Sequence, residues 1–157
     1  MYTLSGTASW GNATTAPSDA NDYRKAADGD LNTYFDGVQN GYVMYDFGKT
    51  VKVNNVKLAA RSGNGMSERT KDGKVQASND GITWTDLYTI STAIPSGQYT
   101  TISSTDLADQ NAYRYFRYTN DTNMTNIAEF LIDATPSSET ADGAPSVTDI
   151  DEMSDDF

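Results

Sequence analysis

Hydrophobic and polar positions follow one another in short runs along this chain, while the three-to-four-residue spacing of an amphipathic helix is hard to find. Runs rich in β-branched and aromatic residues predict strands at about 42–47, 52–60, 74–78, 84–90, 98–104, 113–119 and 127–133. The Asp-Gly pair in "SNDGITW" at 78–84 indicates a hairpin between two of these runs. Many short strands joined by turns predict an all-β fold, an antiparallel β-sandwich of the jelly-roll type.

The strand pattern ends in "TPSSETADGAPSVTDIDEMSDDF", which is rich in Pro, Ser, Thr and acidic residues. We therefore predict one sandwich domain over residues 1–135 and an acidic linker or disordered tail over residues 136–157. Eight of the 22 acidic residues lie from Asp133 onward, where no basic residue occurs. The preceding part of the chain is consequently close to neutral.

The chain of 157 residues contains neither histidine nor cysteine. Their absence removes the commonest general base, the Ser-His-Asp and Cys-His arrangements, disulfides, and thiolate or imidazole metal sites. A bound metal would have to take oxygen ligands, which indicates calcium or magnesium. No pair of carboxylates stands out as an acid and a base, so the sequence predicts a protein that is not an enzyme.

The charge pattern limits the partners that we expect. The net charge is −11 and no basic stripe is present, which argues against nucleic acid and anionic lipid. No apolar run has the length of a membrane span, and the N-terminus lacks the regions of a signal peptide, as in an excised module. The abundance of Thr, Ser, Asn, Gly and Tyr is common in secreted β-domains, so we expect an extracellular or cell-surface location.

The polar stretch "AADGDLNTYFDG" at 26–37 has three interpretations. An EF-hand loop is excluded, because Thr33 stands where that loop needs glycine and Gln39 stands where it needs a bidentate glutamate. A catalytic pair is disfavoured, because Asp28 and Asp30 lie in one tight turn and would share a ligand more readily than flank a substrate. A polar turn with an Asx hydrogen bond stays open on the motif alone.

Several motifs together resemble a known family. "KAADGDLNTYFDG" at 25–37 and "NIAEFLI" at 126–132 look like the discoidin domains (coagulation factor V/VIII type C), and within that superfamily like the bacterial family 32 carbohydrate-binding modules. The segments "GYVMYDFGKTVKVNNVKLAAR" and "KVQASNDGITWTDL" are similar as well, so that the resemblance spans about residues 5–133. It implies a β-sandwich that binds glycans.

The resemblance implies a structural calcium site that joins the two ends of the domain. Glu129 fits this site independently, because a lone acid in the apolar run "IAEFLI" would be costly to bury unpaired. An outward-facing Glu129 at a sheet edge is the alternative. Seven oxygens suit calcium better than octahedral magnesium. The implied ligands are the Lys25 carbonyl, the Asp28 carboxylate, the Asp30 carbonyl, the Thr33 carbonyl and hydroxyl, the Ala128 carbonyl and the Glu129 carboxylate.

The resemblance also implies a sugar site in the loops at one end of the sandwich, near the calcium loop. Arg61 matches the family's arginine, and Asp36 stands where the family has a histidine. Asn64 is the residue nearest to the family's asparagine, and Met124 stands where an aromatic platform is more usual. The ordinary alternatives are a solvated charge for Arg61, turn propensity for Asp36 and Asn64, and a core cap for Met124.

The remaining aromatic residues receive simpler expectations. Trp10 and Trp84 are expected in the core rather than on a sugar platform, Trp84 because it stands at the head of a strand after a hairpin. Tyr42 and Glu68 are candidate contacts at the rim of the sugar site.

The resulting hypothesis is a non-catalytic, calcium-stabilised, monomeric carbohydrate-binding module within a multidomain protein. It would bind a galactose- or N-acetylhexosamine-type glycan and hold a larger secreted, glycan-degrading protein near its substrate. The alternative is a discoidin-type adhesion domain that binds a protein or a cell surface. Such domains usually have a terminal disulfide, apolar spikes or basic groups for anionic lipid, and the sequence shows none of these.

Overall fold

The computed structural model describes residues 3–5 and 21–137. These ranges contain nine strands and three short 3₁₀ helices, the helices at Tyr23–Ala27, Met66–Thr70 and Ser104–Asp106. No helix in these ranges is long and apolar enough to cross a membrane. The strands are β1 (Thr3–Ser5), β2 (Phe35–Asp36), β3 (Tyr42–Ala59), β4 (Lys74–Ser78), β5 (Thr85–Thr89), β6 (Thr100–Ser103), β7 (Tyr113–Thr119), β8 (Asn126–Ile127) and β9 (Glu129–Pro136).

The long strand β3 takes part in both halves of the sandwich. Its first part pairs with β1 and β7, and the sheet continues from β7 to β4 and β5. Its second part pairs with β9 and β6, and all of these strand pairings are antiparallel. The register shifts between Asp46 and Val51, where Gly48 has a φ of 72° and donates its N–H to Asp46 Oδ1 at 2.8 Å. This bulge lets one strand change partners.

Alternate side chains of the strands form the core between the two halves. Tyr45 and Phe47 on β3 are buried, and the Phe47 ring meets the Phe116 ring edge-on at 5.6 Å between centroids. The hydroxyl of Tyr45 donates to the Phe130 carbonyl at 2.6 Å, so this buried polar group is satisfied. The contact ties the first part of β3 to β9 across the core.

The all-β fold class is confirmed, and each predicted run corresponds to a strand. The runs at 42–47 and 52–60 are one continuous strand, β3, and the predicted hairpin joins β4 to β5. The expectation that Trp84 lies in the core is wrong: its ring is half-buried and stacks on Arg117. Trp10 and the tail at 138–157 lie outside the described residues, so the predictions on them stay predictions.

Candidate functional site

Three chain segments meet at the end of the sandwich where β3 ends. β2 pairs with β8, which sets Asp36 opposite Asn126. Tyr34 directly precedes β2, and Arg61 lies two residues after the end of β3. The short β2–β8 pairing therefore brings residues from distant parts of the sequence to one place.

The Arg61 guanidinium is held on three sides. Its Nη1 donates to Asp36 Oδ1 at 3.1 Å and to Asn126 Oδ1 at 2.7 Å. Its Nη2 donates to Tyr34 Oη at 3.1 Å, and the guanidinium carbon lies 3.9 Å from the centroid of the Tyr34 ring. The Arg61 side chain is 19% exposed. A cation held by a carboxylate, an amide and an aromatic ring is fixed in one orientation, unlike a freely solvated surface charge.

Asn126 brings a second arginine to this place. Its buried Oδ1 also accepts from Arg69 Nη1 at 2.6 Å, while its Nδ2 donates to Asp36 Oδ1 at 3.1 Å and to the Gly37 carbonyl at 3.0 Å. The 41% exposed Asp36 has a second oxygen, Oδ2, that accepts no hydrogen bond from any described residue. Arg69 Nε and Nη2 are likewise uncommitted among them. We call Tyr34, Asp36, Arg61, Arg69 and Asn126 the loop-end cluster.

The structure brings together only part of the predicted sugar site. Asp36 and Arg61 form an ion pair within the loop-end cluster. Met124 adjoins the cluster, because its carbonyl accepts from the Asn126 N–H at 3.0 Å, and its side chain is 42% exposed. Asn64 is exposed and forms no hydrogen bond with any described residue. The binding roles of these four residues stay predictions.

Sequence reasoning missed Tyr34, Arg69 and Asn126. The sequence pattern could have indicated Asn126, since it is a polar residue directly before an apolar run. In the structure it is fully buried. Arg69 lies in the 3₁₀ helix Met66–Thr70, which the polar sequence "MSERT" did not predict. The position of Tyr34 over Arg61 depends on the pairing of β2 with β8, which no local pattern showed.

A second polar group lies in the loop that leads to β2. The hydroxyl of Thr33 donates to Asp28 Oδ2 at 2.5 Å and to the Asp30 carbonyl at 3.2 Å. The Asp30 N–H donates to Asp28 Oδ1 at 3.0 Å, and Gly29 takes a φ of 77° in between. A carboxylate, a carbonyl and a hydroxyl therefore converge in one tight loop, and the role of Asp28, Asp30 and Thr33 as ligands stays a prediction.

Glu129 at the start of β9 is fully buried beside this loop. Its Oε1 accepts from the Tyr99 hydroxyl at 3.1 Å, and its Oε2 has no hydrogen-bond partner among the described residues. Burial raises the pKa of Glu129 to about 7, and the negative charge of Asp28 also raises it. The Tyr99 hydroxyl lowers this pKa, as do the nearby N–H groups of Gly29 and Asp28, which do not reach hydrogen-bonding geometry with the carboxylate. The alternative of an outward-facing Glu129 is therefore wrong.

These residues fit a cation that prefers oxygen ligands. A buried carboxylate oxygen without a partner is costly, and a bound cation would satisfy it. No three acidic side chains group together in the described part of the chain, so carbonyl groups would have to supply much of the ligand set. Ala128 directly precedes Glu129, and Lys25 lies in the helix Tyr23–Ala27, which packs against β9. Their carbonyls stay predicted ligands.

The sequence itself identifies the kind of domain that carries these two groups. A family model described as the F5/8 type C domain matches residues 7–130. The chain belongs to this family. The resemblance to discoidin domains is thereby confirmed, while none of the curated proteins matches the sequence.

Solved structures similar to this F5/8 type C domain include carbohydrate-binding modules. CBM62 from Clostridium thermocellum Xyl5A is 32% identical, with a TM-score of 0.66, over 76% of this chain and 87% of that chain. CBM32 of AlyQ, in complex with 4,5-unsaturated mannuronic acid, is 23% identical, with a TM-score of 0.58, over 85% and 93%. CpGH89CBM32-5 from Clostridium perfringens, in complex with GalNAc-β-1,3-galactose, is 14% identical, with a TM-score of 0.55, over 84% and 93%.

We call residues 28–33 the acidic loop. In this F5/8 type C domain the loop-end cluster and the acidic loop with Glu129 are built on the same two chain segments. Asp28 and Asp36 lie on one short segment, and Asn126 and Glu129 lie on another. The two segments pair through β2 and β8. Ordering of the acidic loop by a cation would therefore also hold Tyr34 and Asp36 in place beneath Arg61.

Proposed function

We propose that this domain is a non-catalytic carbohydrate-binding module whose glycan binds at the loop-end cluster. The observation that carries the proposal is the Arg61 guanidinium, which Tyr34, Asp36 and Asn126 hold in one orientation. The carbohydrate-binding modules among its structural relatives, one of them 32% identical, support a glycan as the ligand.

The groups that remain uncommitted in the cluster match the needs of a sugar. Asp36 Oδ2 is an acceptor for one hydroxyl, and the free N–H groups of Arg69 are donors for a neighbouring one. Met124 adds an exposed apolar side chain next to Asn126, against which the C–H face of a sugar ring can pack. An acceptor, a donor and an apolar face suffice to orient one sugar residue.

Catalysis is not part of the proposal. The chain has no histidine or cysteine, which removes the commonest general base and leaves carboxylates, lysines and tyrosines as candidate acids and bases. Glu129 has the raised pKa that is typical of such a group, but its side chain is fully buried and cannot reach a substrate. Its environment suits a structural role.

Calcium is the proposed partner of the acidic loop. Asp28, Asp30, Thr33 and Glu129 would hold it, with the carbonyls of Lys25 and Ala128 listed above as further ligands. A bound calcium supplies positive charge that joins the loop to β9, and it takes no part in any reaction. The buried Oε2 of Glu129 supports this role.

The setting of the module is proposed from its structural relatives. One of these structures contains a CBM32 together with alginate lyase domains in the protein AlyQ, and shares the fold of this chain. We infer a monomeric module in a larger extracellular protein that acts on glycans.

A glycan array, probed with and without a chelator, tests the proposal. The array should contain galactose, N-acetylhexosamines and uronic acids, and the best glycan should then be titrated against Arg61→Ala. Arg61→Ala removes the charged partner that holds Asp36 and Asn126, and we expect it to weaken binding by about 1.5–3 kcal/mol, the range for a hydrogen bond that involves a charged group. Arg114→Ala is the matched control, because Arg114 is bound to Asp46 away from the cluster. Equal binding by Arg61→Ala and the parent would place the site elsewhere.

A further inference from the structure

Three side chains form a stack on the outer face of the sheet, and none of them belongs to the loop-end cluster. The guanidinium carbon of Arg117 lies 3.9 Å from the centroid of the Trp84 ring and 5.1 Å from that of Tyr42. All three side chains are half-buried, whereas the neighbours of Arg117 on β7, Phe116 and Tyr118, are buried in the core. We call Tyr42, Arg117 and Trp84 the Arg117 stack.

The stack is fixed by the strands beneath it. Arg117 lies opposite Gln76 on β4 and opposite Met44 on β3. Trp84 directly precedes β5, which lies two strands from β7. Its ring therefore reaches across β4, at a spacing of about 4.8 Å per strand. Gln76 Oε1 accepts from Arg117 Nε at 2.7 Å. The plane of the guanidinium is thus held by an amide and two rings.

The acidic side chains around the stack have cationic partners of their own. Asp46 accepts from Arg114 Nε at 2.8 Å and from Arg114 Nη2 at 3.0 Å. Asp86 and Asp121 each have a carboxylate oxygen 3.5 Å from Lys74 Nζ. Each of these three carboxylates is thus paired with another cation, although the negative charge of Asp86 still acts on Arg117 and partly offsets the effect of burial on its pKa.

Arg117 has no carboxylate within salt-bridge distance in the described part of the chain. Its Nη1 and Nη2 form no hydrogen bond with any described residue. Burial lowers the pKa of Arg117, as expected for a charge that is partly removed from water. An arginine fork with two free nitrogens matches the two oxygens of one carboxylate.

We propose that the Arg117 stack binds the carboxylate of a uronic acid in an acidic glycan. The carboxylate takes two parallel hydrogen bonds from Nη1 and Nη2, and the sugar ring lies against the neighbouring aromatic ring faces. A uronic acid fits better than an acidic peptide, because a pyranose ring covers the apolar surface beside the fork and a flexible Asp or Glu side chain does not. The site uses no residue of the loop-end cluster and no residue of the acidic loop.

The test measures glycan binding at the Arg117 stack in a variant in which the loop-end cluster is disrupted. In an Arg61→Ala background, a trisaccharide of a uronic acid should still bind, and the matching neutral trisaccharide should bind at least tenfold more weakly. Adding Arg117→Met should weaken binding of the acidic trisaccharide about tenfold or more, the usual effect of losing a charged hydrogen-bonding group. Arg114→Met, on the same strand, is the control and should leave this affinity unchanged.

Each contrary outcome is distinct. If Arg61→Ala alone abolishes binding of the acidic trisaccharide, the loop-end cluster is its only site and the proposal fails. Unchanged binding by Arg117→Met, or equal binding of the neutral sugar, would overturn it as well. Displacement of the acidic trisaccharide by a short poly-aspartate peptide at equal concentration would assign the stack to acidic peptides. Should Arg117→Met not fold, Arg117→Lys keeps the charge, lacks the fork and serves the same comparison.

Discussion

Glu129 illustrates at the scale of one residue how a cation and the fold depend on each other. Its buried Oε2 has no hydrogen-bond partner in the described part of the chain, so the carboxylate destabilises the protein when no cation is bound. Replacing it with glutamine keeps the shape and removes the charge. In chelator at pH 7, Glu129→Gln should therefore melt at the same temperature as the parent or higher.

In the presence of calcium, the parent should instead have a higher melting temperature than Glu129→Gln. A cation that binds only the folded parent raises its melting temperature by mass action, by several degrees at 100-fold excess over its Kd. Glu129→Gln should show little of this rise, whereas Asp133→Asn, an exposed acid on the same strand, should show all of it. A full calcium-induced rise in Glu129→Gln, followed by scanning calorimetry, would contradict the assignment of Glu129 as a ligand.

Tyr34 makes two separable contacts with Arg61, through its ring and through its hydroxyl. Tyr34→Phe should keep the ring contact and weaken glycan binding only a few-fold, because the hydroxyl acts on the ligand through Arg61. Tyr34→Ala removes both contacts and should weaken binding about tenfold or more. Titration calorimetry with the best glycan from the array measures both variants. Identical affinities of the two variants would show that the ring does not position Arg61.

At this scale the sequence could predict contacts between residues that lie close together along the chain, but not contacts between distant residues. Asp28, Asp30 and Thr33 lie within six residues, and their convergence follows from the turn that they form. Asn126 instead meets Arg61 and Arg69 over separations of 65 and 57 residues. Such contacts depend on strand pairing, and they were found only in the structure.

At the scale of elements, β3 shows where pattern reading reaches its limit. The "DFGKT" segment carries a glycine and a lysine, which break the strand pattern and predict two strands. The structure instead forms a bulge there, because the Asp46 carboxylate accepts the Gly48 N–H. The composition of this segment indicates that the regular pairing of the strand is interrupted, but it does not distinguish a bulge from a turn.

The hairpin between β4 and β5 depends on Asp80. Its carboxylate accepts from the N–H groups of Thr83 and Ile82, both at 2.8 Å, and these bonds lower its pKa from about 3.8 to about 2. Because the folded-state pKa is below the unfolded value, the stabilisation is present above about pH 4 and is lost as the pH falls through 2. Asp80→Ala should therefore lower the melting temperature at pH 7, and the difference from the parent should narrow between pH 4 and pH 2.

A matched control for the hairpin is Asp106→Ala. Asp106 is exposed, and its side chain forms no hydrogen bond with a described residue. The melting temperature of Asp106→Ala should equal that of the parent at every pH. A difference between Asp80→Ala and the parent that stays constant from pH 7 to pH 2 would mean that the loop is held by other contacts.

At the scale of the whole molecule, charge is concentrated at the C-terminal end of the sequence. Seven of the 22 acidic residues and none of the 11 basic ones lie at 138–157, so residues 1–137 carry a net charge of −4. Deleting residues 138–157 should change the melting temperature by less than about 2 °C and leave the affinity for neutral glycans unchanged, because the segment has no apolar periodicity to bury. A loss of several degrees, or of glycan binding, would show that the segment docks on the sandwich.

The fold class was predictable because the runs of β-branched and aromatic residues recur over most of the chain. The arrangement of strands was less accessible, since β3 pairs with four other strands and no local pattern specifies partners.

The end of β9 sets the geometry by which the domain is attached to anything that follows. Ser137 is held at Thr50, where its N–H donates to the Thr50 carbonyl at 3.1 Å. From Thr50 the strand runs nine residues to Ala59, about 30 Å at 3.3 Å per residue, and Arg61 lies just beyond. Ser137 therefore lies at the end of the sandwich opposite the loop-end cluster. A domain joined through Ser137 would therefore be separated from a glycan at the loop-end cluster by the length of the sandwich.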